Sequence, residues 1–141
     1  MANVIYYSDI ESVGNPMFPN LFMAPLGGAG AAGFGWQDMT VYKLGFLVES
    51  DGPWTWRFGF STGDQPIPPS EVMFNILAPG VVEDHVTLGF SRDLGNGRAL
   101  NFAFMHAPSV SVSGPNPLDP AQQIELEMDQ FDLEIGFTWG M

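Results

Sequence analysis

Apolar and polar residues alternate with a period of two along much of this chain, and helical periodicity is nearly absent. Residues 54–61 are the clearest case: Trp54, Trp56, Phe58 and Phe60 share one face, and Thr55, Arg57, Gly59 and Ser61 the other. Residues 85–91 repeat the pattern, with Val86, Leu88 and Phe90 opposed to His85, Thr87, Gly89 and Ser91. The last segment alternates Phe131, Leu133, Ile135, Phe137 and Trp139 with Asp132, Glu134, Gly136, Thr138 and Gly140. Residues 40–49 and 99–107 alternate less cleanly, Val41 and Leu47 interrupting the polar side of the former. A further strand is expected over residues 3–10 from Val4, Ile5, Tyr6 and Tyr7. The pattern predicts an all-β, antiparallel, up-and-down sheet of about six strands.

The intervening segments alternate in length. Residues 11–38, 62–84 and 108–124 read as long loops, whereas Ser50-Asp51-Gly52-Pro53 and the segment around Gly95-Asn96-Gly97 read as tight turns. Long connections at one end of a sheet and short ones at the other are the pattern of an outer-membrane barrel.

Alternation alone fits equally a soluble β-sandwich or lipocalin-like carrier, apolar side inward, and a transmembrane barrel, apolar side outward. The composition of the polar side favours the second. It is mostly Thr, Ser, Gly, Asn and Ala rather than Lys and Glu, and Lys43, Arg57, Asp132 and Glu134 all fall on it. A Lys or Arg facing lipid at mid-membrane costs about 2–4 kcal/mol, so a lipid-facing surface requires this placement. Trp54, Trp56 and Trp139 lie near the short-turn end, where an interfacial aromatic girdle belongs. Because transmembrane barrels need at least about eight strands, the reading is an incomplete barrel, with residues 1–141 the carboxy-terminal portion of a larger one. Met1-Ala2-Asn3-Val4 does not open a basic segment followed by an apolar core, which agrees with a chain that begins partway through an exported protein.

Composition narrows the function classes. With 4 Lys and Arg against 16 Asp and Glu, the net charge of −12 leaves no basic footprint for nucleic acid. The absence of cysteine removes disulfides, thiolate metal sites and thiol nucleophiles. Glycine and proline are frequent, yet 45% hydrophobic and 13% aromatic residues mark a chain that folds.

Candidate chemistry is sparse. No Ser or Thr has a recognisable base and orienting acid beside it, so no enzyme, cofactor or metal site is expected. Gly28, Gly30 and Gly33 match a dinucleotide-binding spacing but lack its strand, helix and acid, and are read as a flexible loop. His85 and His106 both fall near the long-loop end, where a shared metal or proton site competes with ordinary hydrogen bonding. Glu125, Glu127 and Asp129 form an acidic ladder whose apolar partners, Ile124, Leu126 and Met128, reverse parity before Phe131. Either the strand projects beyond the membrane with its acids outward, or a bulge near 129–131 resets the register. The acids would face divalent ions among lipopolysaccharide headgroups or simply form a solvated rim. For capture of an apolar ligand the expected residues are Val72, Met73, Phe74, Ile76 and Leu77, with Leu126 and Met128. An apolar loop centre must otherwise pack against neighbouring loops. Arg57 would attract a ligand carboxylate or pair with Asp132 or Glu134.

The stretches NVIYYSDIESVGNP (3–16), GFGWQDMTVYKLG (33–45), WTWRFGFSTGDQPIP (54–68), EVMFNILAPGVVEDHVTLGFS (71–91) and LNFAFMHAP (100–108) resemble the end of the FadL-type family. Its members are outer-membrane transporters of long-chain fatty acids and hydrocarbons. The resemblance implies a Gram-negative outer-membrane location, a monomeric barrel of about fourteen strands when complete, and passive transport of hydrophobic small molecules. The plug and early strands that such proteins use for gating have no counterpart in these residues. The chain ends Thr138-Trp139-Gly140-Met141 rather than on the terminal aromatic common to such barrels. The rival expectations are the soluble carrier of apolar ligands and a structural or adhesive outer-membrane barrel.

Overall fold

The computed structural model describes residues 1–140, which build one antiparallel sheet in the order β1-β2-β3-β4-β5-β6. Its strands are β1 (Ala2–Ile5), β2 (Met39–Glu49), β3 (Trp54–Gly63), β4 (His85–Gly95), β5 (Arg98–Asn116) and β6 (Asp119–Trp139). Every strand pairs with its neighbour in sequence, so the sheet is up-and-down and open. Tight turns join β2 to β3 and β4 to β5. In the second, Asn96 and Gly97 take φ of 54° and 70°, which the Asn-Gly pair tolerates at little cost.

Registered pairs give each face its identity, since residues directly opposite point to the same side. One face carries rows that cross five strands without a break. Phe46, Phe58, Leu88, Phe104 and Leu133 form one such row, and Val48, Trp56, Phe90, Phe102 and Ile135 the next. The other face carries Gly45, Gly59, Thr87, Met105 and Asp132, then Leu47, Arg57, Gly89, Ala103 and Glu134. Among the described residues nothing packs over the aromatic face: Phe58 is 46% exposed, Leu133 57% and Ile135 69%. The dry interior that a sandwich or carrier would give these residues is therefore not what the described residues build.

Three expectations need correction. The supposed long loop at 108–124 is instead the far end of a hairpin, with β5 running to Asn116 and β6 starting at Asp119. Ser109-Val110-Ser111-Val112-Ser113 keeps strand alternation there, Pro108 and Pro115 lie at the two register shifts, Ala107/Val110 and Pro115/Asn116, and Pro117 lies in the turn. Next, the bulge is not on the last strand near 129–131. It lies on β5 at Pro108 and Ser109, opposite Asp129, while β6 continues without a break. Ile124, Leu126 and Met128 thus share the polar-side parity of Asp132 and Glu134, and Glu125, Glu127 and Asp129 project outward and exposed. Last, β1 ends at Ile5 and a 3-10 turn, Tyr7–Asp9, follows where more strand was expected.

The two genuine long loops carry short helices, α1 (Glu11–Gly14), α2 (Asn20–Met23) and α3 (Val72–Asn75). The second loop, with α3, folds over the polar side of the long β5–β6 hairpin, and Trp36 of the first loop packs beside it. The buried cluster of the protein lies there: Ile67, Val72 and Val81 from one loop against Val112 and Leu126, with Trp36, Ile124 and Met128 packed around them. Gly114 permits the contact, because a Cβ at that position would lie 1.7 Å from the Pro69 carbonyl oxygen.

Candidate functional site

The cap formed by the loops is held by one buried polar side chain. Asn75, with no exposed surface, accepts a hydrogen bond from the Trp36 indole and donates to the carbonyls of Phe34 (2.7 Å) and Glu71 (2.9 Å). The Glu71 carboxylate in turn accepts from the Met17 backbone N–H at 2.9 Å. Gln37 and Pro66 add a backbone bond between the same two loops. A buried amide must be satisfied to be tolerated, and satisfying this one fixes both loops in a single arrangement.

Of the residues expected to capture a ligand, Val72 and Leu126 are buried together in the cluster and Met128 packs against it. Phe74 stacks on Phe34 at 5.3 Å between ring centroids. Met73 is half-buried, while Ile76 and Leu77 point to solvent, 56% and 75% exposed. The structure brings Val72, Leu126 and Met128 into one cluster and leaves Ile76 and Leu77 outside it.

Arg57 lies lower, on the polar face. Its Nη1 donates to Ser91 Oγ (2.7 Å), which donates to Asn101 Oδ1 (2.7 Å), and Asn101 Nδ2 donates to Thr138 Oγ1 (3.2 Å). This chain crosses four strands and orients the guanidinium along the sheet. Arg57, Asp132 and Glu134 line one groove of about 300 Å³ over Thr87, Gly89 and Ala103.

A second concavity, also about 300 Å³, lies beneath the cap and was not foreseen from the sequence. Tyr7, Trp36, Met39 and Val41 form its apolar wall, and Lys43 and His85 its polar floor. The Tyr7 and Trp36 rings meet edge to face at 5.0 Å. Val41, which interrupts the polar side of β2 in sequence, finds its reason here. Leu47 does not: it stands 59% exposed on the polar face, and nothing in the structure explains it.

His85 and His106 occupy opposite faces of adjacent strands, His85 paired with Ser61 and His106 with Val86, so they share no site. Among the described residues no group of three potential metal-ligating side chains converges. The glycines at 28, 30 and 33 lie in loop, as expected, and the loop is tied down: Asn20 and Asn15 donate to the carbonyls of Gly30 and Ala31, Gly30 N–H donates to Glu11, and Gly33 is buried.

No family model matches the chain, and no curated protein or solved structure matches it.

Proposed function

We propose that the chain is part of an outer-membrane β-barrel of FadL type that admits hydrophobic small molecules by passive diffusion, without covalent chemistry. The observation that carries this reading is the exposed apolar face, its two middle rows unbroken across five strands with His106 above them and Arg92 at the short-turn end, opposite a face rich in small and polar residues, a division that suits lipid outside and a wet lumen within. Strand lengths support it. β2, β3 and β4 have 11, 10 and 11 residues, against about 9–11 for a membrane-spanning strand. Between Phe131 and Trp139 the apolar band runs about 27 Å along β6, which at a barrel's strand tilt of about 35–45° is about 20 Å of height, most of the roughly 25 Å of a barrel's apolar belt. Trp54, Trp56, Phe90 and Trp139 would form the girdle at the short-turn end, with the Arg92 guanidinium 5.1 Å over the Trp54 ring. The cap would then stand at the outer mouth, where the exposed Ile76 and Leu77 after α3 would meet a ligand first, lipopolysaccharide and lipid being the surroundings.

Fractionation of cells expressing the chain behind an export signal tests this. It is expected in the outer-membrane fraction, released by detergent and aggregated when detergent is withdrawn. A chain that stays monodisperse in aqueous buffer would overturn the reading and favour a soluble carrier.

A further inference from the structure

The 4 Lys and Arg of the chain divide between the two faces of the sheet. Lys43 and Arg57 stand on the polar face, whereas Arg92 and Arg98 stand on the apolar one, both at the short-turn end. Arg92 belongs to the row Trp54, Arg92, Leu100 and Phe137, and Arg98 pairs with Trp139 one row further out. Because Arg98 lies two residues from the direct partner of Arg92, the two arginines are diagonal neighbours, roughly 7–8 Å apart between Cα atoms. Both are exposed, and the Arg92 guanidinium lies 5.1 Å over the Trp54 ring. Asp93, the nearest acid in sequence, faces the other side of the sheet, where its Oδ1 accepts from the Gly95 N–H at 2.7 Å. Of the other acids at this end, Glu49 shares the polar face and Asp51 is exposed in the turn before Trp54.

The outward acids of the sheet lie at the opposite end. Glu125, Glu127 and Asp129 share the parity of Phe131 and stand beyond it, so the apolar band separates a cationic rim from an anionic one. Two arginines among tryptophans at the edge of such a band are complementary to a phosphate whose acyl chains lie against the band. A guanidinium gives phosphate two parallel hydrogen bonds, and an anionic leaflet attracts each cation. We propose that Arg92 and Arg98, flanked by Trp54 and Trp139, bind the headgroup of a phospholipid of net negative charge in the leaflet at the short-turn end. The proposal rests on the reading that the apolar face meets lipid, and it names the lipid class that one rim of that face selects.

The test reads tryptophan fluorescence of the full chain in nanodiscs of phosphatidylcholine and phosphatidylglycerol at equal mole fraction, with bromine on the acyl chains of one lipid or the other. Trp54, Trp56 and Trp139 are expected to be quenched more strongly by the brominated phosphatidylglycerol, with an enrichment of that lipid of about fivefold per arginine at low salt. Sodium chloride is expected to reduce the preference, and inorganic phosphate to reduce it no more than chloride at the same ionic strength. Arg92→Gln with Arg98→Gln is expected to abolish the preference while quenching itself persists, and each single variant carries the test if the pair does not fold. If neither brominated lipid quenches the wild-type chain, the apolar face does not meet lipid and that reading fails, with this proposal. Equal quenching by the two lipids in the wild-type chain, a preference that survives the glutamine variants, or one that free phosphate removes overturns this proposal alone.

Discussion

The Trp36 indole in the first long loop donates its N–H to the Asn75 side chain in the second, 39 residues away, at the centre of the bonds that join the two loops. Because Asn75 also satisfies the Phe34 and Glu71 carbonyls, its removal leaves several buried groups without partners. Asn75→Ala is expected to destabilise the cap by about 1–3 kcal/mol, the usual consequence of stranding buried polar groups. Hydrogen exchange of the Trp36 indole in lipid would report it. An unchanged exchange rate would show that the loops are held by other contacts.

Gly114 on β5 faces the Pro69 carbonyl, whereas Gly45 on β2 has only Phe58 O within reach, at 3.8 Å from an added Cβ. Gly114→Ala should therefore cost at least about 1–3 kcal/mol through overpacking, and Gly45→Ala much less. Denaturant titration of the two variants side by side gives the comparison, and equal midpoints would contradict the close approach.

Leu133 and Ala103 sit on opposite faces at the same height of the sheet, Leu133 opposite Phe104 and Ala103 opposite Glu134. In lipid vesicles Leu133→Lys is expected to lose about 2–4 kcal/mol of folding stability, while Ala103→Lys, beside Glu134, loses far less. Similar losses at both positions would deny that the aromatic face meets hydrocarbon.

Phe74 and Met128 belong to the cap, one stacked on Phe34 and the other packed against the buried cluster. In a complete barrel, Phe74→Ala and Met128→Ala are expected to lower uptake of a radiolabelled long-chain acid several-fold without changing barrel abundance. Wild-type uptake in both would remove these residues from ligand capture.

Strand identity in the lower sheet was legible because alternation is a local property. Trp54 to Ser61 or Phe131 to Trp139 declares its two faces without reference to any partner, and the observed register agrees with those faces. The upper hairpin was not legible, because Pro108, Pro115 and Pro117 mask the Ser-Val alternation between them. Only the pairing with β6 shows that these prolines occupy a bulge and a turn rather than a loop. The cavity beneath the cap was illegible for a related reason. Tyr7, Trp36, Met39 and His85 are far apart in sequence and none carries a motif.

By itself, then, the sequence determined a six-stranded antiparallel sheet with one apolar and one polar face, since a period of two and the side-chain types at each parity suffice for that. Tertiary structure decided that the parity change at Asp129 is absorbed by a bulge in the neighbouring strand. It also decided that the two loops lock through Asn75, and that Trp36 is held over a cavity no local pattern encodes. These features depend on contacts between residues distant along the chain, and such contacts exist only once the backbone has brought them together.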